Sequence, residues 1–243
     1  TAIIAAHDGL WFYESGEWAH PNPTAHDFMA FAPVRDGFYA SGHPDLTTQY
    51  PNPLGLVKVI DAGANLELVR FAGQLDFHNV AAAHDASSIY VYNDESVPEM
   101  SQGMHYSVDN GVTWQAVSAN VGVGEPSSLS AHPTVAGTVA LITGGSILLS
   151  TDFGGTFFTV DGIDDPSALV FHPDGKRLLI GDSGLHAYDL AARYVTSFSV
   201  SFTVDDAITH IAVNHADVDQ IVVATESHAI YATLDAGGEW VTI

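Results

Sequence analysis

Apolar residues alternate with polar ones in short bursts along this chain, with a period of two and not of 3.6. The clearest stretch lies at the end, where AITHIAVNH, QIVVATE, HAIYATLD and EWVTI are separated by turns such as HADVDQ and DAGGE. Short alternating runs rich in β-branched and aromatic residues, bounded by Gly, Asp and Asn, are the pattern of half-buried strands. No segment combines ten or more residues of helical periodicity with capping signals. The pattern predicts an all-β chain built from units of four antiparallel strands, here called a to d.

One phrase recurs. Residues 107–114 read SVDNGVTW and residues 150–157 read STDFGGTF. An acidic residue, a Gly two later and a large apolar residue further on also appear as Asp61, Gly63 and Leu66, and as Asp235, Gly237 and Trp240. Two eroded copies are Glu14, Gly16 and Trp18, one residue shorter, and Asp189 with Tyr194, which has lost its Gly. From Glu14 the successive intervals are 47, 48, 43, 37 and 46 residues. A period of about 40–50 residues carrying four strands is that of a propeller blade. Residues 1–243 are therefore expected to form a single six-bladed β-propeller, with c–d turns near Glu14, Asp61, Asp109, Asp152, Asp189 and Asp235. The first blade begins at strand b (AIIAAH), so its inner strand is missing from the sequence given. An unpaired inner edge is a liability for a propeller.

Each residue type in the phrase has a structural use. A carboxylate at Asp109 or Asp152 can accept turn N–H groups. Gly111, Gly154 and Gly237 can take positive φ. Ser107 and Ser150 add hydroxyl bonds, and Trp114, Phe157 and Trp240 offer large faces to pack between blades. On these residues the phrase resembles the Asp-box, or BNR repeat, of sialidase-like propellers, a family that includes sortilin-type receptors, xyloglucanases and a photosystem II assembly factor. In that family the box is structural and lies away from the active site. The phrases AHDGLWFY, DFMAF, YASGHP, PNPLGLV and DFHNV further resemble a bacterial group of Asp-box proteins labelled glycosyl hydrolases. That resemblance implies a strand with a histidine pair ahead of Thr1. Sialidases share an arginine triad that grips a carboxylate, and Arg35, Arg70, Arg177 and Arg193 sit at dissimilar positions. Without those guanidinium groups no bidentate clamp can be built, so sialidase activity is not expected.

Composition narrows the partners. The chain has 29 acidic and 6 basic residues and a formal net charge of −23. Phosphate backbones require a basic surface, so nucleic acid is excluded as a partner, and anionic lipid is disfavoured. There are no cysteines, which removes disulfides and thiolate sites and fits an exported, periplasmic or extracellular protein. No apolar run approaches the roughly 20 residues of a membrane span. TAIIAA is too short for a signal peptide, so a targeting segment would lie upstream of Thr1.

Candidate chemistry lies where the sequence does not repeat. In an antiparallel blade the b–c and d–a loops share one face, and the a–b and c–d turns share the other. On the first face fall His7 and Asp8, His26 and Asp27, His43, and Asp76 with His78. Histidine with carboxylate is suitable chemistry for a divalent metal ion or a polar ligand. The b–c loops 41–55 and 93–104 are much longer than ordinary hairpin loops, and 18–27 elaborate a d–a connection. Such loops on a rigid scaffold carry recognition, with Tyr50, Tyr92, Glu95 and Glu99 as candidate contacts to a sugar or a partner. Asp8, Asp27, Asp76, Asp94, Glu95, Asp182 and Glu226 are too many carboxylates to single out a catalytic pair. His84, His132, His172 and His215 recur after strand a and read as turn residues. The expected function is an exported binding or scaffold module, an extrinsic subunit of a larger membrane-associated assembly. A carbohydrate-active glycoside hydrolase and a His/Asp metal-binding protein are the alternatives.

Overall fold

A computed structural model describes residues 2–21, 25–119, 124–200 and 206–243. It is a six-bladed β-propeller of antiparallel sheets, one with three strands and five with four. The first blade holds β1 (Ala2–Ala6), β2 (Gly9–Glu14) and β3 (Glu17–Ala19). The second holds β4 (Asp27–Val34), β5 (Gly37–His43), β6 (Leu56–Ile60) and β7 (Asn65–Arg70). The third holds β8 (Asn79–Ala82), β9 (Ile89–Asn93), β10 (Gly103–Ser107) and β11 (Gln115–Ala116). The fourth holds β12 (Ser128–Ala131), β13 (Val139–Thr143), β14 (Ser146–Ser150) and β15 (Phe158–Val160). The fifth holds β16 (Ala168–Phe171), β17 (Arg177–Gly181), β18 (Leu185–Asp189) and β19 (Tyr194–Ser197). The sixth holds β20 (Ile208–Val213), β21 (Ile221–Thr225), β22 (Ile230–Thr233) and β23 (Val241–Thr242).

The repeated phrase closes the c–d hairpins. Ser107 Oγ donates to the Asp109 carboxylate at 2.8 Å and accepts the Gly111 N–H at 2.9 Å. Asp109 in turn accepts the N–H and hydroxyl of Thr113 at 2.8 and 2.6 Å. Those donors hold its carboxyl at about 2, with the Thr113 hydroxyl as the largest cause. Ser150, Asp152 and Thr156 repeat the arrangement, and Thr233 with Asp235 replaces the serine by threonine. The backbone signature is a pair of positive φ angles, at Asn110–Gly111, Phe153–Gly154 and Ala236–Gly237. Ala62–Gly63 and Ser15–Gly16 carry the same pair. The β2–β3 turn is therefore a c–d turn, and β1 occupies the place of strand b. In the fifth blade Asp189 accepts Ala191 and Ala192 N–H groups, and Arg193, not a glycine, takes the left-handed conformation.

Packing follows the blades. Trp114 sits 6.3 Å from Phe71 and 6.5 Å from Phe77, between the second and third blades, and its indole N–H donates to Gly111 O. Five buried apolar clusters cover five of the six blade interfaces: Leu10 with Phe38, Leu56 with Ile89, Tyr90 with Val139, Leu149 with Leu178, and Leu179 with Val223. Burying each large apolar side chain contributes about 1.5–3 kcal/mol. Among the described residues the interface between the sixth and first blades has no such cluster. No helix of the described residues is long and apolar enough to cross a membrane.

Candidate functional site

The propeller axis holds a cavity of about 500 Å³, lined by all five inner strands and by Ile3, Ile4 and Ala5 of β1. Its walls are mostly apolar, from Phe28 and Val80 round to Leu169 and Ile211, and no Asp or Glu lies among the described lining residues. His78 and Asn79 line it on the face of the b–c and d–a loops, and His84 and His215 line it on the opposite face.

On the loop face, imidazoles and carboxylates alternate from blade to blade. His7, on the β1–β2 turn, places Nδ1 2.7 Å from Asp27 Oδ1. Asp27, at the start of β4, pairs in register with His43 at the end of β5. His43 Nε2 lies 3.2 Å from Asp76 Oδ2, and His78 Nε2 lies 3.3 Å from the same oxygen. His78 Nδ1 is 3.8 Å from Glu125, which also accepts Asn79 Nδ2 at 3.0 Å. The other nitrogen of His43 meets Asn52 Oδ1 at 2.7 Å. The arc runs from the first blade to the connection entering the fourth. His43 and His78 are nearly half exposed, while the Asp76 side chain is 22 % exposed. Asp76 Oδ1 is buried and makes no hydrogen bond among the described residues. A buried carboxylate oxygen without a donor is costly.

Five of the seven ligand candidates join this arc: His7, Asp27, His43, Asp76 and His78. Two do not. His26 is 5 % exposed, its Nδ1 accepts the Asp45 N–H at 3.0 Å, and its ring lies between Phe28 and Tyr50. Burial holds its pKa below the usual histidine value, so it is a core residue. Asp8 accepts the Trp11 indole N–H at 2.9 Å and stays on its own turn. Among the described residues no group of three or more His, Asp or Glu side chains is arranged to hold a metal ion. The imidazoles of His7 and His78 instead hydrogen-bond to carboxylates, and His43 stands within ion-pair distance of Asp76.

The two long b–c loops are tied down by internal hydrogen bonds; the 18–27 connection includes residues 22–24, which lie outside the described residues. Asp45 accepts the Ala25 N–H at 2.8 Å and the Thr47 N–H and hydroxyl at 2.7 and 2.8 Å. These bonds, Ala25 first, hold its carboxyl at about 2. Leu54 N donates to Gly42 O at 2.8 Å, and the fully buried Leu54 anchors the loop in the core. Tyr50 packs beside His26 and donates to Leu66 O, so it is an anchor and not a platform. In the loop after β9, Asn93 Nδ2 donates to Glu95 O and Ser101 O. Glu95 stays exposed, Glu99 pairs with Arg70, and Tyr92 is half-buried. Asp94 and Glu226 are exposed, whereas Asp182 accepts His186 Nε2 at 2.9 Å and the Gly184 N–H.

The opposite face shows what the sequence did not reveal. His132 and His172 serve their turns, each accepting turn N–H groups at Nδ1. His84 and His215, from blades on opposite sides of the ring, stack with centroids 3.6 Å apart and planes 11° apart. Asp85 meets both the His84 ring and the Arg35 guanidinium. Burial, and then the neighbouring His84, push the His215 pKa down to about 4. No spacing rule brings His84 and His215 together, because the contact exists only once the ring closes.

No family model matches this chain, and no curated protein does. Solved structures do. The GH74 enzyme of Niastella koreensis is 17% identical with a TM-score of 0.56, over 88% of this chain and 38% of that one. The GH74 xyloglucanase of Xanthomonas campestris is 13% identical with a TM-score of 0.57, over 89% and 38%. YCF48 bound to D1 peptide is 14% identical with a TM-score of 0.44, over 90% and 82%. The chain spans under two fifths of the GH74 proteins' length. At these identities the GH74 likeness shows the propeller fold.

Proposed function

We propose that this protein is an exported binding propeller whose loop face over the first three blades engages a partner protein in a larger, membrane-associated assembly. The observation that carries the reading is the arc from His7 to Glu125. It sets exposed imidazoles and acidic groups on a scaffold whose b–c loops are tied down by hydrogen bonds. Pre-ordered loops lose little entropy on binding, and a net charge of −23 favours a partner surface rich in Lys and Arg. We read the repeated turns as Asp-boxes, structural in role and facing away from the arc.

The GH74 likeness offers a second reading, a carbohydrate-active propeller. Glycosidases need two carboxylates roughly 5–10 Å apart across a sugar-sized cleft. The axial cavity has apolar walls, and Asp27, Asp76 and Asp182 are each engaged by an imidazole. Both features favour the binding role. Purification from the native source decides between the readings. A stoichiometric co-migrating polypeptide supports the binding role, whereas hydrolysis of a β-glucan by the isolated protein would replace it.

A further inference from the structure

The fifth blade carries a group of side chains that the binding role does not use. His186, on β18, and Ser197, on β19, are partners in register. In the adjoining pair Phe198 N donates to Leu185 O, so His186 and Ser197 form a non-hydrogen-bonded pair, the kind whose side chains lie closest. His186 Nδ1 stands 3.0 Å from Ser197 Oγ. The other ring nitrogen, Nε2, stands 2.9 Å from Asp182 Oδ1. Asp182, just after β17, is itself fixed by the Gly184 N–H at 2.6 Å. A carboxylate only accepts, so in the neutral ring the proton sits on Nε2, and the Nδ1 lone pair is left to accept the Ser197 hydroxyl. Among the described residues no other histidine joins a carboxylate on one nitrogen to a side-chain hydroxyl on the other. The His186 and Asp182 side chains are 17% and 16% exposed, whereas Ser197 is open to solvent.

A nucleophile, a base and an orienting carboxylate within hydrogen-bond reach are the parts of an activated serine, which is recognised by geometry and not by spacing in the chain. We propose that Ser197, His186 and Asp182 form an acyl-transfer site that cleaves small, uncharged carboxylic esters, an activity independent of the arc on the first three blades. Ser197 Oγ attacks the ester carbonyl carbon while His186 Nδ1 takes the hydroxyl proton. The bond from that carbon to the alcohol oxygen then breaks, and the same proton passes to the leaving oxygen. Water next attacks the acyl-serine, giving a proton to Nδ1, and the acid departs as that proton returns to Ser197 Oγ. Asp182 touches no reacting atom; it is a positioning residue that holds the ring and its tautomer. β19 is the outer strand of its sheet. In a non-hydrogen-bonded pair the Ser197 N–H points away from β18 to that open edge, where it can meet the developing oxyanion. The exposed serine admits small esters, and a net charge of −23 disfavours anionic ones.

The test treats the full chain at neutral pH with a fluorophosphonate, whose P–F bond breaks as a P–O bond forms to serine, and locates the adduct by peptide mass spectrometry. Ser199, exposed two residues further along, is the internal control. Ser197 is expected to be modified about a hundredfold faster than Ser199 or more. The unaltered protein should hydrolyse p-nitrophenyl acetate, and Ser197→Ala should not. His186→Asn should slow labelling by a similar factor with the melting temperature retained. Asp182→Asn should slow it about tenfold or more. The same variant should move the His186 ring proton from Nε2 to Nδ1 in nitrogen-15 spectra, because an amide can donate to Nε2 and a carboxylate cannot. Equal labelling of Ser197 and Ser199 overturns the proposal without recourse to any variant. Labelling of Ser197 that His186→Asn leaves unchanged overturns it as well. Neither result bears on the partner-binding reading, which rests on His43, Asp76 and His78.

Discussion

Asp76 Oδ2 stands 3.2 Å from His43 Nε2, joining the second blade's strand b to the connection entering the third. His78 reaches the same oxygen from the other side at 3.3 Å. Neither histidine is buried, and neither packs in an apolar cluster. The double variant His43→Ala/His78→Ala should therefore leave the melting temperature within about 2 °C, since exposed pairs contribute only about 0–1 kcal/mol. It should weaken binding of the native partner at least tenfold. Differential scanning calorimetry and partner titration together check this. A fall in binding matched by a fall in stability would mean that the pair serves the fold.

Ser107 is 1% exposed and holds the Gly111 N–H. Ser107→Ala leaves that buried donor without its acceptor, which costs about 1–3 kcal/mol. Ser150→Ala should cost the same, because Ser150 holds Gly154 in the same way. Urea unfolding measures both, and equal losses are the signature of one turn used twice.

Gly111 has φ +86, and a Cβ there would lie 2.9 Å from Leu56 Cδ2 and 3.0 Å from Val69 Cγ1. Gly111→Ala combines a left-handed conformation with a tight contact to the neighbouring blade. A loss of about 1–3 kcal/mol is expected in urea unfolding.

The His215 pKa is lowered in the folded state, so the unfolded chain binds the additional proton first. The stability tied to this group is complete above about pH 6.5 and is lost as pH falls toward about 4. The loss amounts to about 1–3 kcal/mol by pH 4.5. His26 and His105, lowered first by burial, add to it with the same sign. Asp45 and Asp109, held near 2, act only below this window, as pH falls from about 3.8 toward 2. His215→Asn should flatten the slope between pH 6.5 and 4.5 in urea unfolding, and an unchanged slope would place the titration elsewhere.

The fold was legible because its turns are local. An aspartate, a positive-φ pair ending in glycine and an aromatic residue four or five positions later need only a few consecutive residues to act, so Asp109 and Asp152 announce their hairpins. The eroded turn at Glu14 still keeps Ser15–Gly16 in the same conformation. The arc was legible in part, because histidine and aspartate at the ends of strands point to one face. His26 misled because its neighbours in sequence do not show that Phe28, Tyr50 and Asp45 close around it. The His84–His215 stack depends on blades meeting across the ring, and no local pattern encodes that.

The most direct measurement is the polypeptide content of the protein purified from its native source, compared with the His43→Ala/His78→Ala variant purified in the same way. The binding role predicts one polypeptide retained stoichiometrically by the unaltered protein and lost from the variant at equal stability. A protein that comes through purification alone, and that cleaves a glycan in a manner abolished by replacing Asp76 or Asp27, would contradict it.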